Sequence, residues 1–186
     1  MQTIADLQSR FSRPGRIAWI GVRPARKAPM HGVQHAEIEE TGLVGDHGRS
    51  EKRAVTLIQA EHLRVIEALC ETQTVVPELL RRNVVVAGIN LVALRGRPFW
   101  LGTALLEITG PCAPCSRMEA ALGMGGYAAM RGHGGWCARV MAPGIAAVDD
   151  QLVPAAAERA SDHEDRTGRE RRDAPVTVFR TPEARR

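Results

Sequence analysis

Two thiols stand three residues apart in Gly110-Pro-Cys-Ala-Pro-Cys-Ser-Arg-Met-Glu119, directly before a stretch that reads as a helix start. Ser116 and Glu119 fit an S-x-x-E capping box, in which each side chain satisfies a free backbone N–H of the first turn. Met118, Ala121 and Leu122 supply an apolar face, and Gly123 is a natural stop. Cys115 therefore falls beside the helix N-cap, where unpaired N–H groups and the positive end of the helix dipole favour a thiolate. Arg117 adds positive charge nearby, and Glu119 opposes it. The pattern predicts a reactive or metal-binding sulfur at Cys115. Cys112 reads as a resolving thiol, a second metal ligand or a plain loop cysteine. Cys70, on an apolar helix face, and Cys137, in a strand, read as core residues.

The elements that must position these thiols are mostly strands. Arg16–Val22 is a bounded apolar run between Pro14-Gly15 and Pro24. Ala54–Ile58 and Asn83–Ala87 are short β-branched runs of the kind that fill a sheet. Phe99–Leu101 and Ala104–Thr109 flank a tight connection at Gly102-Thr103. Trp136–Met141 ends at Pro143-Gly144, and Ile145–Val148 is expected to return as its hairpin partner. Helical spacing is confined to Ala60–Cys70, a short turn at Pro77–Arg82 and Ser116–Leu122. Many short strands with few helices predict a mainly β fold, a closed or nearly closed β-barrel.

At 186 residues the chain is long enough to bury one core without staples. It carries no apolar run long enough to span a bilayer, and the segment Met1–Asp6 shows no secretory signal. Four cysteines in a chain this long do not read as a disulfide framework, so a reducing cytoplasm is the expected compartment. The net charge of +4 and seven scattered aromatic residues do not argue for nucleic acid, but they are compatible with small anionic ligands. Residues 155–186 hold 8 Arg and 7 Asp/Glu, too polar a mixture to offset ordering entropy, and read as a disordered tail. Val176–Phe179 within it is a candidate edge strand. The expected domain is therefore 1–154, with its core at about 16–152.

Several phrases together carry a resemblance. They are Gly42-Leu-Val-Gly-Asp-His47, Lys52-Arg-Ala-Val-Thr-Leu-Ile58, Leu80-Arg-Arg-Asn-Val-Val-Val-Ala-Gly88, Gly96-Arg-Pro-Phe99, Pro114-Cys-Ser-Arg-Met118, Arg131-Gly-His-Gly-Gly135 and Ala138-Arg-Val140. In this order and spacing the chain resembles the MOSC domain family, named for the C-terminal domain of molybdenum cofactor sulfurase, from about Arg16 to Leu152. The resemblance implies a β-barrel similar to the insert domain of pyruvate kinase. It also implies binding of molybdenum cofactor, with a cysteine thiolate, here Cys115, as molybdenum ligand. Characterised relatives of this kind reduce N-hydroxylated compounds. Others are proposed to carry sulfur, which here would be a Cys115 persulfide supplied by a cysteine desulfurase. Pyridoxal phosphate belongs to a separate domain of the sulfurase for which this chain has no room, so it is not expected to bind. Asp149-Asp150 replaces the Gly-Asp usual in the family, and the charged tail is not a family feature.

The same resemblance makes the basic and polar residues of these phrases candidate partners of the pterin phosphate and the molybdenum oxo groups. Arg82 and Asn83, where a short helix enters a strand, would clamp phosphate and bond the pterin edge; their plain role is a fold-stabilising pair. Arg53 carries the same two readings. Asp46 follows a turn glycine and reads as structural, with His47 beside it a candidate for the pocket. Six glycines between Gly123 and Gly135 read either as a backbone anion cradle or as a lid over the cysteine, with Arg131 and His133 as contacts. The chain has no iron–sulfur or flavin signature, so a reductase of small molecules would need electrons from a separate redox partner. Two other classes remain open from the residues alone. One is a thiol–disulfide protein, because Cys112-Ala-Pro-Cys115 resembles the thioredoxin motif, though it comes late and after several short strands. The other is a zinc site using Cys112, Cys115 and His133.

Overall fold

The computed structural model describes residues 2–8, 10–70 and 74–155. The charged segment from residue 156 onward, with Val176–Phe179, lies outside the described residues. A short helix, α1 (Ile4–Gln8), precedes strand β1 (Gly15–Val22). Strands β2 (His31–Val33), β3 (His35–Glu39) and β4 (Gly42–Leu43) follow. After a 3-10 turn at Glu51–Arg53 come β5 (Val55–Gln59), α2 (Ala60–Cys70), α3 (Pro77–Leu80) and β6 (Val84–Ala87). A second 3-10 turn, Leu91–Leu94, leads to β7 (Pro98–Leu101), β8 (Ala104–Pro111), α4 (Ser116–Leu122) and α5 (Gly126–Ala129). The chain then runs through β9 (Trp136–Ala142), β10 (Gly144–Ala147) and β11 (Gln151–Pro154).

Seven strands form a ring in the order β11-β7-β8-β9-β5-β6-β1, and β1 pairs back to β11 through Gly15 with Leu152 and Arg16 with Gln151. Closure removes the free edges that an open sheet would expose. Strand β2 hangs on the far end of β1, and β10, β3 and β4 make a separate small sheet. Every pairing is antiparallel except β5 with β6. Parallel neighbours need a long crossover, and the segment carrying α2 and α3 supplies it. That crossover brings the starts of β5 and β6 to the same end of the barrel.

The period-2 alternation of side chains divides the core in two. Val55 and Leu57 of β5, with Val84 and Val86 of β6, enter the barrel beside Ile17, Phe99 and Leu101. Ile58 and Val85 point the other way, into a second cluster with Ile66, Leu80, Met118, Leu122 and Met130 beneath the helices. Both faces of β6 are therefore dry, and its three valines read as one unbroken apolar run. Each fully buried aliphatic side chain of this kind stabilises the fold by roughly 1.5–3 kcal/mol.

The mainly β barrel is the architecture expected from the run pattern, and the helix Ala60–Cys70 lies where its spacing placed it. Two local expectations fail. Ile145–Val148 does not return on β9: β10 pairs with β3, through Gly144 with Ile38 and Ala147 with His35. Only Pro143 separates β9 from β10, too little for a two-residue hairpin loop, so the chain turns a corner into the second sheet. The Ser116–Glu119 capping box does not form either. Cys115 is the N-cap of α4 and makes no side-chain cap bond. The Glu119 carboxylate instead accepts from the amides of Gly125 (2.9 Å) and Tyr127 (2.6 Å), tying down the glycine-rich segment.

Candidate functional site

A cavity of about 620 Å³ opens at the barrel end where β5 and β6 begin and β8 finishes. Its wall combines the Gly110–Cys115 loop with Cys137 of β9, Thr56 of β5 and Thr109 of β8. Six cationic side chains line it: Arg23, Lys52, Arg53, Arg81, Arg82 and Arg117. No carboxylate is among the lining residues. The volume lies within the range of small-molecule sites.

Arg82 is the anchor of the floor. It is buried and donates from Nε to the Gly134 carbonyl (2.7 Å), from Nη1 to Leu80 (2.9 Å) and from Nη2 to Cys112 (3.0 Å). One guanidinium thus joins α3, the glycine-rich segment and the cysteine loop. Gly134 and Gly135 permit this packing. A Cβ on Gly135, whose φ is +88°, would lie 2.0 Å from the Leu57 carbonyl oxygen. The Gly135 carbonyl in turn accepts from the Cys112 amide (2.9 Å).

Asn83 and Asp46 form a second satisfied network. The Asn83 side chain accepts from the Thr56 hydroxyl (2.7 Å) and donates to the Gly21 carbonyl and to Asp46. Asp46 receives Nε and Nη2 of Arg23 in a forked pair, as well as the Arg23 amide. Burial opposes the Asp46 charge, but the bonds from Arg23 and Asn83 outweigh it and lower its pKa.

Arg81 belongs to the rim and is in the opposite condition. It holds a left-handed backbone (φ +59°), uncommon outside glycine. Its Nη1 donates to the Ala28 carbonyl (2.9 Å), while its buried Nε has no hydrogen-bond partner among the described residues. Burial first, and then the Arg23 and Arg117 guanidiniums, push its pKa down. Like charges around an unpartnered donor give this part of the wall a positive potential.

The thiols differ sharply from one another. Cys115 is exposed, whereas Cys112 and Cys137 are buried in the cavity wall. The interaction with the neighbouring Cys137 thiol is the largest influence on Cys112 and holds its pKa down, against the opposing effect of burial. Arg82 and Arg53 reinforce it. The same contact, with burial, pushes the Cys137 thiol far up. Of the two, Cys112 is therefore the thiol that gives up its proton more readily.

Of the residues singled out from sequence, the cavity brings together Cys112, Cys115, Arg53 and Arg82. Asn83 lies behind the wall in its own network. His47 is exposed and Arg131 is exposed, and neither is among the lining residues. His133 meets His62 edge-to-face, with ring centroids 5.0 Å apart, and its buried Nδ1 has no partner among the described residues. Cys112, Cys115 and His133 accordingly do not gather into a zinc site, and no group of three or more His, Cys, Asp or Glu among the described residues is arranged to hold a metal ion. Lys52, Arg81 and Arg117 belong to the quoted phrases, and Arg117 was noted as charge beside Cys115, but they were not singled out as site residues. Sequence reading passed over Arg23, which carried no signal beyond its place after a strand, and the role of Cys137.

A small closed barrel with a cationic, thiol-lined cavity at one end defines the class of molecule. Residues 28–153 match the MOSC domain model, and the chain belongs to that family. Solved structures agree in fold. The YuaD protein of Bacillus subtilis superposes with a TM-score of 0.70 at 16% identity, covering 77% of this chain and 97% of that one. YiiM of Geobacillus stearothermophilus gives 0.65 at 19% identity, covering 77% and 76%. YiiM of Escherichia coli gives 0.60 at 22% identity, covering 76% and 70%. No curated protein matches the chain. No helix among the described residues is long and apolar enough to cross a membrane.

Proposed function

We propose that this MOSC protein binds molybdenum cofactor, with the Cys115 thiolate as metal ligand, and reduces N-hydroxylated small molecules with electrons from a separate partner. The observation that carries this reading is the unpartnered Arg81 Nε, held among Arg23 and Arg117 in a cavity that also presents an exposed thiol. The residues fit the cofactor. Its phosphate answers the free donors of the rim, and a metal brought in on a pterin needs few protein ligands, so Cys115 suffices. When bound, the metal supplies the two-electron couple needed to cleave an N–O bond. Arg81, Arg117 and Lys52 hold the anion by charge-assisted bonds. Arg82 and Asn83 position the wall from behind: Arg82 fixes the Cys112 carbonyl, and Asn83 fixes Thr56 and Asp46, which orients Arg23.

The test is the molybdenum and pterin content per chain of wild type and Cys115→Ser, both purified from a host that makes the cofactor. Metal and pterin in wild type, with molybdenum lost in the variant, are expected. A wild-type chain free of both, from a host that loads a control MOSC protein, overturns the reading. The exposure of Cys115 favours a second one, in which a cysteine desulfurase docks there and leaves a persulfide for sulfur transfer. It requires an added sulfur mass on Cys115 after treatment with desulfurase and cysteine, and absence of that mass removes it.

A further inference from the structure

The register of β8 against β9 brings Cys137 beside Cys112, and both line the cavity wall together with Arg53. Strands β8 and β9 set this up. Gly110 faces Cys137 across the ladder and the Cys112 amide bonds to the Gly135 carbonyl, so the two cysteines are diagonal neighbours on one face. Diagonal positions in a regular ladder stand about 7–8 Å apart, just beyond the usual span of a disulfide, so a bond between them needs the strands drawn closer locally. The ladder slips register between Ile108 and Gly110, and such bulges increase the local twist that draws a diagonal together. Both cysteines line the cavity together with Arg53, so small reagents reach sulfurs that the bulk surface hides.

We propose that Cys112 and Cys137 are a second reactive site, a dithiol that hydroperoxides convert to a disulfide independently of Cys115. The Cys112 thiolate attacks one peroxide oxygen, the O–O bond breaks, and the other oxygen leaves as hydroxide or an alkoxide, which takes a proton from water. The Cys137 sulfur then displaces the hydroxyl of the resulting sulfenic acid; an S–S bond forms, and water leaves with the Cys137 proton. Two thiols lose two electrons and the peroxide gains them. Arg53 stabilises the attacking thiolate, and the product removes that negative charge from the cavity wall. The bond also ties the cysteine loop to β9.

The experiment oxidises the full reduced chain with hydrogen peroxide and maps cysteine linkage by mass spectrometry without reduction. Tryptic cleavage at Arg117 and Arg131 separates the peptide holding Cys112 and Cys115 from the one holding Cys137. Wild type and Cys115→Ser are both expected to lose two hydrogens in mass and to yield the cross-linked peptide pair. In Cys137→Ser, Cys112 is expected to stop at the sulfenic acid and be trapped by dimedone. A link between Cys112 and Cys115 in wild type overturns the proposal. So does recovery of Cys112 and Cys137 as free thiols while Cys115 is oxidised, an outcome readable in wild type alone.

Discussion

Arg82 commits all three of its nitrogens to the carbonyls of Gly134, Leu80 and Cys112, while Arg81, one residue earlier, leaves a buried Nε without a partner and faces two other guanidiniums. The floor of the cavity and its rim differ in the same way throughout. Floor groups such as Asn83 and Asp46 meet donors and acceptors from within the protein. At the rim only Arg23 meets a carboxylate, that of Asp46, while Lys52, Arg81 and Arg117 have no ion-pair partner among the described residues. Buried polar groups are ordinarily paired, so the unpaired side of this contrast marks where a ligand belongs and the paired side what keeps the ligand's place open.

The sharpest way to break the contrast is Arg82→Ala. It leaves three buried carbonyls without their donor and is expected to cost about 3–5 kcal/mol, read as a fall in the urea midpoint. A cost under about 1 kcal/mol would move Arg82 from floor to rim. Asp46→Asn is expected to cost about 2 kcal/mol at neutral pH, less than a fully dry pair because Arg23 keeps some solvent contact. The Asp46 pKa is lowered in the fold, so its contribution is complete above the ordinary carboxylate range and is lost as pH falls through the folded value. The gap between wild type and variant should therefore narrow on acidification, and urea titrations across that range test it.

Cys137→Ala sharpens the comparison within the wall. Iodoacetamide labelling of Cys112 should show a midpoint at about pH 6 in the parent and a higher one in the variant, which lacks the neighbouring thiol. An unmoved midpoint would assign the thiolate to Arg82 and Arg53 alone. The smallest effect on stability is expected from Arg81→Gln, within about 0.5 kcal/mol of wild type, together with less pterin retained per chain. A loss of several kcal/mol would make Arg81 a second Arg82.

The strands were legible where β-branched runs coincide with the ring, as in β1, β5 and β6. Strand β3 was not, because His35-Ala-Glu-Ile-Glu39 alternates correctly but offers only two apolar positions. β11, the closing strand, follows two aspartates and ends at a proline, a stretch that reads as a turn. The cysteine loop announced itself through its motif. The cationic rim did not, since Arg23, Lys52 and Arg117 meet only through long-range pairing. Cys137 reads as core, and it is buried; its contact with Cys112 depends on the register of β8 against β9, which no local pattern fixes. The glycines of 123–135 were read for anion binding or mobility. At Gly134 and Gly135 the close approach of the backbone to Arg82 and β5 is what the structure shows.

The cavity wall is gathered from positions as far apart as Arg23 and Cys137, and this dispersal has a thermodynamic corollary. No short stretch of the unfolded chain holds the converging cations, so a ligand that fits them recognises the finished barrel alone. Bound at a hundred times its dissociation constant, it would add about 2.7 kcal/mol to the stability of the native state. Such a gain would protect β1, β5, β8 and β9 together, because each supplies or adjoins part of the wall, and amide hydrogen exchange would register loading of this one pocket as a slowing spread across the ring.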